Sequence, residues 1–239
     1  MATLISKLKK AGITKENLAT RLSIASCSAD FFTDDFLYFL EHLRVIGDSR
    51  EQKDWIEKAC AYYGIAFAKA IKDKQAGTEN LKEGDYSFEV VFGDQQFSYV
   101  GRVAYERKGS LSELYNNLKS GDRDRVEREF KRFADKNYEK VVLVLEYGQT
   151  LTDLLNGRFD YIDHHGQYNT KDVGKLVYTS LMAWKQPNAF NFEIHQEPNH
   201  EKLFWWIITD MYYFFRNDLR KKINYIEKEK GVQADEKTD

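Results

Sequence analysis

The sequence predicts a mixed α/β fold, and three observations carry that expectation. Apolar runs of strand length, Leu43-Arg44-Val45-Ile46-Gly47 and Lys140-Val141-Val142-Leu143-Val144-Leu145-Glu146, alternate with stretches whose apolar residues recur at helical spacing. The turn-like Gly93-Asp94-Gln95-Gln96 separates two strand-like segments, which is a hairpin signal. A chain of 239 residues with 42% apolar content, 15% aromatics and two prolines is composed like one ordered domain, or one domain with a small appendage.

Along the chain, residues 1–42 read as a helical N-terminal appendage. It has a break at Ala11-Gly12, a cap at Thr14 followed by Glu16 and Asn17, and an amphipathic run from Asp34 to Leu43. Leu18 and Leu22 have the spacing of a helix-turn-helix, but nothing else supports one, and a plain packing helix is the favoured reading. The main domain runs over 43–225. After the first strand, Trp55, Ile56, Ala59, Cys60 and Tyr63 mark a helix; Asp73 to Lys82 is a polar linker. Asp85–Phe92 and Phe97–Lys108 form the two hairpin strands. Helical segments Leu111–Leu118 and Val126–Phe133 flank Ser120-Gly121-Asp122, and Lys140–Glu146 is a buried strand. A helix from Thr170 to Lys185, a strand Phe190–His195 and an aromatic helix from Lys202 to about Lys222 follow, and 226–239 reads as a charged, frayed tail. The aromatic helix, with Trp205, Trp206 and Phe214 among its residues, calls for burial on more than one side, in the core or against a second subunit.

Composition excludes several classes. Cys27 and Cys60 are far apart and make neither a disulfide framework nor a zinc site. The segment Met1–Lys10 lacks a signal-peptide core, and no uncharged apolar run is long enough to cross a membrane, so a soluble, intracellular protein is expected, cytoplasmic if bacterial or phage-encoded. A net charge of −2 argues against coating nucleic acid through bulk electrostatics. Any DNA contact would be local, and Arg102 to Arg132 offers nine Lys/Arg against six Asp/Glu, with Lys119, Arg123, Arg125, Arg128 and Arg132 the candidate contacts. There is no Gly-x-x-x-x-Gly-Lys-Ser/Thr loop and no Gly-x-Ser-x-Gly elbow. His164-His165, His195 and His200 match no helical metal-ligand spacing.

Four residues converge on one chemistry. Asp48 follows the first strand, where an open α/β sheet presents groups at its carboxyl edge. Asp85 begins the next strand, and Glu106 and Lys108 end the one after. A turn centred at Asp94 to Phe97 places Asp85, rather than Asp94, opposite Glu106. On a strand, Glu106 and Lys108 share a face while Arg107 points to the other. Clustered carboxylates repel one another unless Mg2+ or Mn2+ compensates them, and such a cation suits phosphodiester hydrolysis. Lys108 would orient the attacking water, help deprotonate it, or stabilise charge on the phosphate.

Asp48-Ser49-Arg50-Glu51, Gly84-Asp85-Tyr86, Glu106-Arg107-Lys108 and the apolar strand ending in Glu146 together resemble the nuclease domain of the XPF family of structure-specific endonucleases. In that family an Asp-x-Arg-Glu follows the first strand, a Gly-Asp-Tyr begins the second, and a Glu-Arg-Lys ends the third, followed by three residues and an Asp. The resemblance implies a restriction-endonuclease-like mixed sheet flanked by helices, metal ligation by Asp48, Asp85 and Glu106, and Lys108 as catalytic lysine. Arg50 and Glu51 would be close supports, and Arg107 would brace the fold or reach DNA. Glu113 stands one residue late for the family's Asp, and the hairpin is longer than usual. The layout resembles a compact stand-alone form without helix-hairpin-helix modules, of phage or mobile-element type. Implied partners are branched DNA or single-strand/double-strand junctions, and a second copy docked through the aromatic helix. The expected function is a metal-dependent endodeoxyribonuclease of DNA repair or recombination. The alternatives are a catalytically silent nuclease-fold adaptor, or a Holliday-junction resolvase or defence nuclease with the same core.

Overall fold

The computed structural model describes residues 34–49, 54–70, 84–92, 97–118, 122–135, 138–146, 150–156, 159–162, 168–171, 174–187 and 189–235. The expected helices within 1–33, the linker 73–82, the turn 93–96 and His164-His165 lie outside them. The described chain forms helix α1 (Asp34–His42), strand β1 (Leu43–Asp48), α2 (Trp55–Tyr63), β2 (Ala66–Ala70), β3 (Tyr86–Phe92), β4 (Phe97–Val100) and β5 (Val103–Lys108). It continues with α3 (Leu111–Leu118), α4 (Arg123–Asp135), β6 (Lys140–Leu145), α5 (Leu151–Asn156), β7 (Phe159–Ile162), β8 (Tyr168–Lys171), α6 (Gly174–Trp184), β9 (Glu193–Gln196) and α7 (His200–Asp235).

The main sheet has the order β2-β1-β3-β5-β6-β9, with β4 also paired to β3. Only β3 breaks the direction: β1–β2, β5–β6 and β6–β9 are parallel, whereas β3 runs antiparallel to β1, β4 and β5. This is a mixed sheet flanked by helices, the α/β class the sequence predicts. The period of two along the strands feeds two cores. Val45, Tyr86, Phe88, Val103, Tyr105, Val142 and Val144 pack with α1, α2 and α7 on one face. Ala104, Val141, Leu143 and Leu145 pack with α3, α4 and α6 on the other. Phe36, Phe39 and Leu40 of α1 belong to the first core, where Phe36 and Phe39 both meet Tyr212 of α7 edge-on.

Several boundaries differ from expectation. The strand expected over 97–108 is two strands, because the β3–β4 pairing (Glu89↔Val100) and the β3–β5 pairing (Tyr86↔Tyr105) are offset by two residues. The offset falls at Gly101-Arg102. A Cβ on Gly101 would stand 2.4 Å from the Phe88 ring, so only glycine lets the strand bulge there. Because the offset is two, the face alternation survives. The helix expected from Thr170 starts at Gly174, since Tyr168–Lys171 pairs with Phe159–Ile162 in a small hairpin of its own. Strand β9 is Glu193–Gln196 rather than 190–195, with Asn191 in the left-handed region at φ 50° just before it. Helix α4 starts at Arg123, ahead of Val126. Helix α7 continues to Asp235, so residues 226–235, expected as a frayed tail, are helical; their Glu and Lys residues are good helix formers. Among the described residues, no helix is long and apolar enough to cross a membrane.

Candidate active site

Parallel strands β1, β5 and β6 end at one edge of the sheet, and antiparallel β3 begins there. That edge gathers the predicted residues. The Asp85 N–H donates to the Tyr105 carbonyl (2.9 Å), and the Asp48 N–H donates to the Asp85 carbonyl (2.8 Å), which locks the motif residues of three strands together through the backbone. Continuing the Tyr86↔Tyr105 pairing by one residue sets Asp85 opposite Glu106, the register expected from the sequence. Gly84 is what permits the turn into β3. Its φ of +86° is in the left-handed region, and a Cβ there would stand 3.2 Å from both Ala104 Cβ and the Phe133 ring.

Alternation along β5 separates the tripeptide. Ala104 packs in the second core and Tyr105 in the first, so Glu106 and Lys108 point to the α3/α4 side and Arg107 to the other. Glu106 and Lys108 are buried, and Lys108 Nζ donates to Glu106 Oε1 at 2.5 Å. Burial raises the Glu106 carboxyl above its ordinary range; Lys108 opposes that shift, while Glu129 and Glu113 add to it. Burial pulls on the Lys108 ammonium in the opposite sense, but Glu106, Glu129 and Asp85 outweigh it and leave its pKa raised. The lysine is therefore a held cation at neutral pH.

Asp85 is half-buried, and its Oδ2 accepts the Arg107 main-chain N–H at 2.7 Å. The Arg107 side chain, on the opposite face, donates from Nη1 to Glu146 Oε2 at 3.0 Å with both groups buried. Asp48 is buried and lines a small crevice with Asp54, Glu57, Lys69 and Tyr86. Glu113, the late acid, lies in the first turn of α3 and accepts the Gly109 N–H on Oε2 at 2.9 Å, while the Ser110 hydroxyl takes its own N–H at 3.0 Å. It caps the turn out of β5. Arg50, Glu51 and Lys119 lie outside the described residues.

The candidate DNA contacts divide. Arg123 is committed to the fold: its Nε donates to Glu127 at 2.8 Å and its guanidinium sits 5.3 Å from the Trp184 ring centre. Arg125, Arg128 and Arg132 are exposed at positions that share one side of α4, and Arg125 also donates to Asn117 at 2.9 Å. Glu129, inconspicuous within a charged stripe of the sequence, adds its charge to that acting on Glu106. Its position three residues after buried Val126 and one before buried Phe130 was the available signal that it borders the core. Trp55 and Glu146, whose sequence spacing marks them only as a helix and a strand residue, also meet: the indole Nε1 donates to Glu146 Oε1 at 2.8 Å.

A divalent ion suits the chemistry of these donors, since Asp48, Asp85 and Glu106 supply hard oxygens at one sheet edge. The side chains as folded do not fit one together. Among the described residues, no three His, Cys, Asp or Glu side chains are grouped so that they could hold a metal ion. Lys108 engages Glu106, and the Arg107 amide engages Asp85.

Fold and site together define a mixed α/β protein with a buried carboxylate–lysine pair at the carboxyl edge of its sheet. Among solved structures, the chain is similar to XPF from Aeropyrum pernix, at 16% sequence identity, covering 78% of this chain and 73% of that one, with a TM-score of 0.45. At that identity and score the likeness assigns no activity. No protein-family model matches the sequence, and no curated protein matches it.

Proposed function

We propose that this chain is a divalent-metal-dependent endodeoxyribonuclease acting on branched or otherwise structured DNA, including single-strand/double-strand junctions. The observation that supports this reading best is the Glu106–Lys108 pair, buried at the sheet edge with Glu106 opposite Asp85. Such a site provides a fixed ammonium for the charge that develops on a phosphate oxygen, in surroundings where burial strengthens the interaction. Lys108 reaches substrate by turning away from Glu106. Asp48, Asp85 and Glu106 are then the carboxylates proposed to take Mg2+ or Mn2+. The ion, when bound, would neutralise the phosphate and ionise water near neutral pH. The exposed arginines Arg125, Arg128 and Arg132 supply backbone contacts beside the site.

The aromatic helix gives the expected homodimer no support of its own, because Phe204, Trp205, Ile208 and Met211 are spent on this chain's first core. Phe214 also packs inward, edge-on to Phe88, with ring centres 6.3 Å apart. A second reading, a nuclease-fold DNA-binding adaptor that does not cut, is favoured by one observation: the carboxylates do not converge. Incubation with labelled flap, fork and four-way-junction DNA plus Mg2+ or Mn2+ separates the two. The nuclease reading expects cleavage that Glu106→Gln and Lys108→Ala each reduce by at least about a thousandfold. Cleavage that survives either substitution removes the site assignment, and binding without cleavage establishes the adaptor.

A further inference from the structure

We propose that Glu146 is a positioning residue for the carboxylate of Asp85, acting through Arg107; its catalytic consequence rests on the nuclease reading above. Glu146 directly follows β6, and its N–H donates to the Lys108 carbonyl at 3.0 Å. Its carboxylate is almost fully enclosed, at 3% exposure, and accepts on both oxygens: Trp55 Nε1 at 2.8 Å on Oε1 and Arg107 Nη1 at 3.0 Å on Oε2. His200 Nε2 lies 3.6 Å from the same Oε2, and the His200 ring stacks on Trp55 with centres 4.6 Å apart and planes 7° from parallel. The carboxylate is thus held by hydrogen bonds from α2 and from β5, with His200 of α7 stacked on the α2 partner.

Arg107 sits at the pivot. Its side chain runs to Glu146 on one face of the sheet, while its main-chain N–H points to Asp85 Oδ2 at 2.7 Å. Turning that peptide would drag a guanidinium whose far end is clamped. Holding Glu146 therefore holds the N–H that aims Asp85. Stability alone does not account for the arrangement, because well-packed apolar residues usually stabilise a core as well as a buried ion pair does. Placement does account for it: the pair ends the two central strands, one residue from both Glu106 and Lys108.

The test reads the Arg107 amide directly, by nitrogen-15 NMR and hydrogen exchange on the full chain, with cleavage measured alongside. Asp85→Asn is the control that weakens the bond at its acceptor. In Glu146→Gln the Arg107 amide should exchange at least tenfold faster and shift toward its position in Asp85→Asn, while the other β5 amides keep their protection. Trp55→Phe, which keeps the ring on His200 but deletes the indole N–H, should produce a smaller change in the same amide. Cleavage by Glu146→Gln should show kcat reduced tenfold or more with KM for DNA unchanged. An unchanged Arg107 amide in folded Glu146→Gln, or equal loss of protection along all of β5, overturns the proposal. If Glu146→Gln does not fold, Trp55→Phe decides on the same amide. A wild-type chain that cuts no DNA removes the nuclease reading, whereas the Arg107 amide still decides the role of Glu146.

Discussion

On one face of β5, Arg107 meets a carboxylate that also holds an indole N–H and lies near an imidazole. On the other, Glu106 meets one ammonium, and the charges of Glu113 and Glu129 bear on the same pair. The residues are neighbours in sequence and comparably buried, so the difference lies in compensation. The Arg107 face is built as a brace, with each partner fixed by a different element. The Glu106 face carries excess negative charge in an enclosed place, which is the setting in which another cation is favoured.

The largest effect that separates the faces is expected from Lys108→Met. It leaves Glu106 buried beside other carboxylates and should cost about 3–5 kcal/mol in urea unfolding, as loss of one partner of a buried pair does. Adding Glu106→Gln should recover most of that loss; a double variant as unstable as the single one would show that the pair does not interact as described. Arg107→Met should cost less, about 2–3 kcal/mol, because Glu146 retains the Trp55 N–H. If the two single variants are equally destabilised, the contrast between the faces is gone. Gly84→Ala comes next, at about 1–2 kcal/mol for a side chain in the left-handed region. Its crowding against Ala104 and Phe133 should also displace Asp85, lowering cleavage more than stability.

A further effect lies away from both faces. His195 stacks on Trp206 with ring centres 3.5 Å apart, and burial lowers its pKa to about 4 while Glu197 opposes the shift. As pH falls from 6.5 toward 4, the unfolded chain takes up a proton that the folded chain refuses, so stability present above that window is lost within it. Comparing urea midpoints at pH 7 and pH 4.5 for wild type and His195→Phe should show a shallower acid loss in the variant.

What was legible in the sequence follows a physical division. Alternation along β5 assigned the faces of Glu106, Arg107 and Lys108 because a period of two leaves no other choice. The hairpin midpoint paired Asp85 with Glu106 although the strand bulges at Gly101-Arg102, because an offset of two preserves the face. Short polar elements gave no such period. Tyr168–Lys171 and Phe159–Ile162 have four residues each and pair only with one another, and Ala66–Ala70 is a partly exposed edge strand. That the carboxylates do not converge was not legible either. It depends on which partner each oxygen takes, and the sequence does not say that the Arg107 amide holds Asp85 or that Lys108 holds Glu106.

The divalent cation proposed for the Glu106 face can be sought directly by titration of Mn2+ followed by electron paramagnetic resonance. Wild type should deplete the free-ion signal with saturable stoichiometry. Glu106→Gln should abolish that depletion, and Glu139→Gln, on an exposed carboxylate paired with Arg102, should leave it intact. Depletion that is absent in wild type, or equal in Glu106→Gln, would contradict the account.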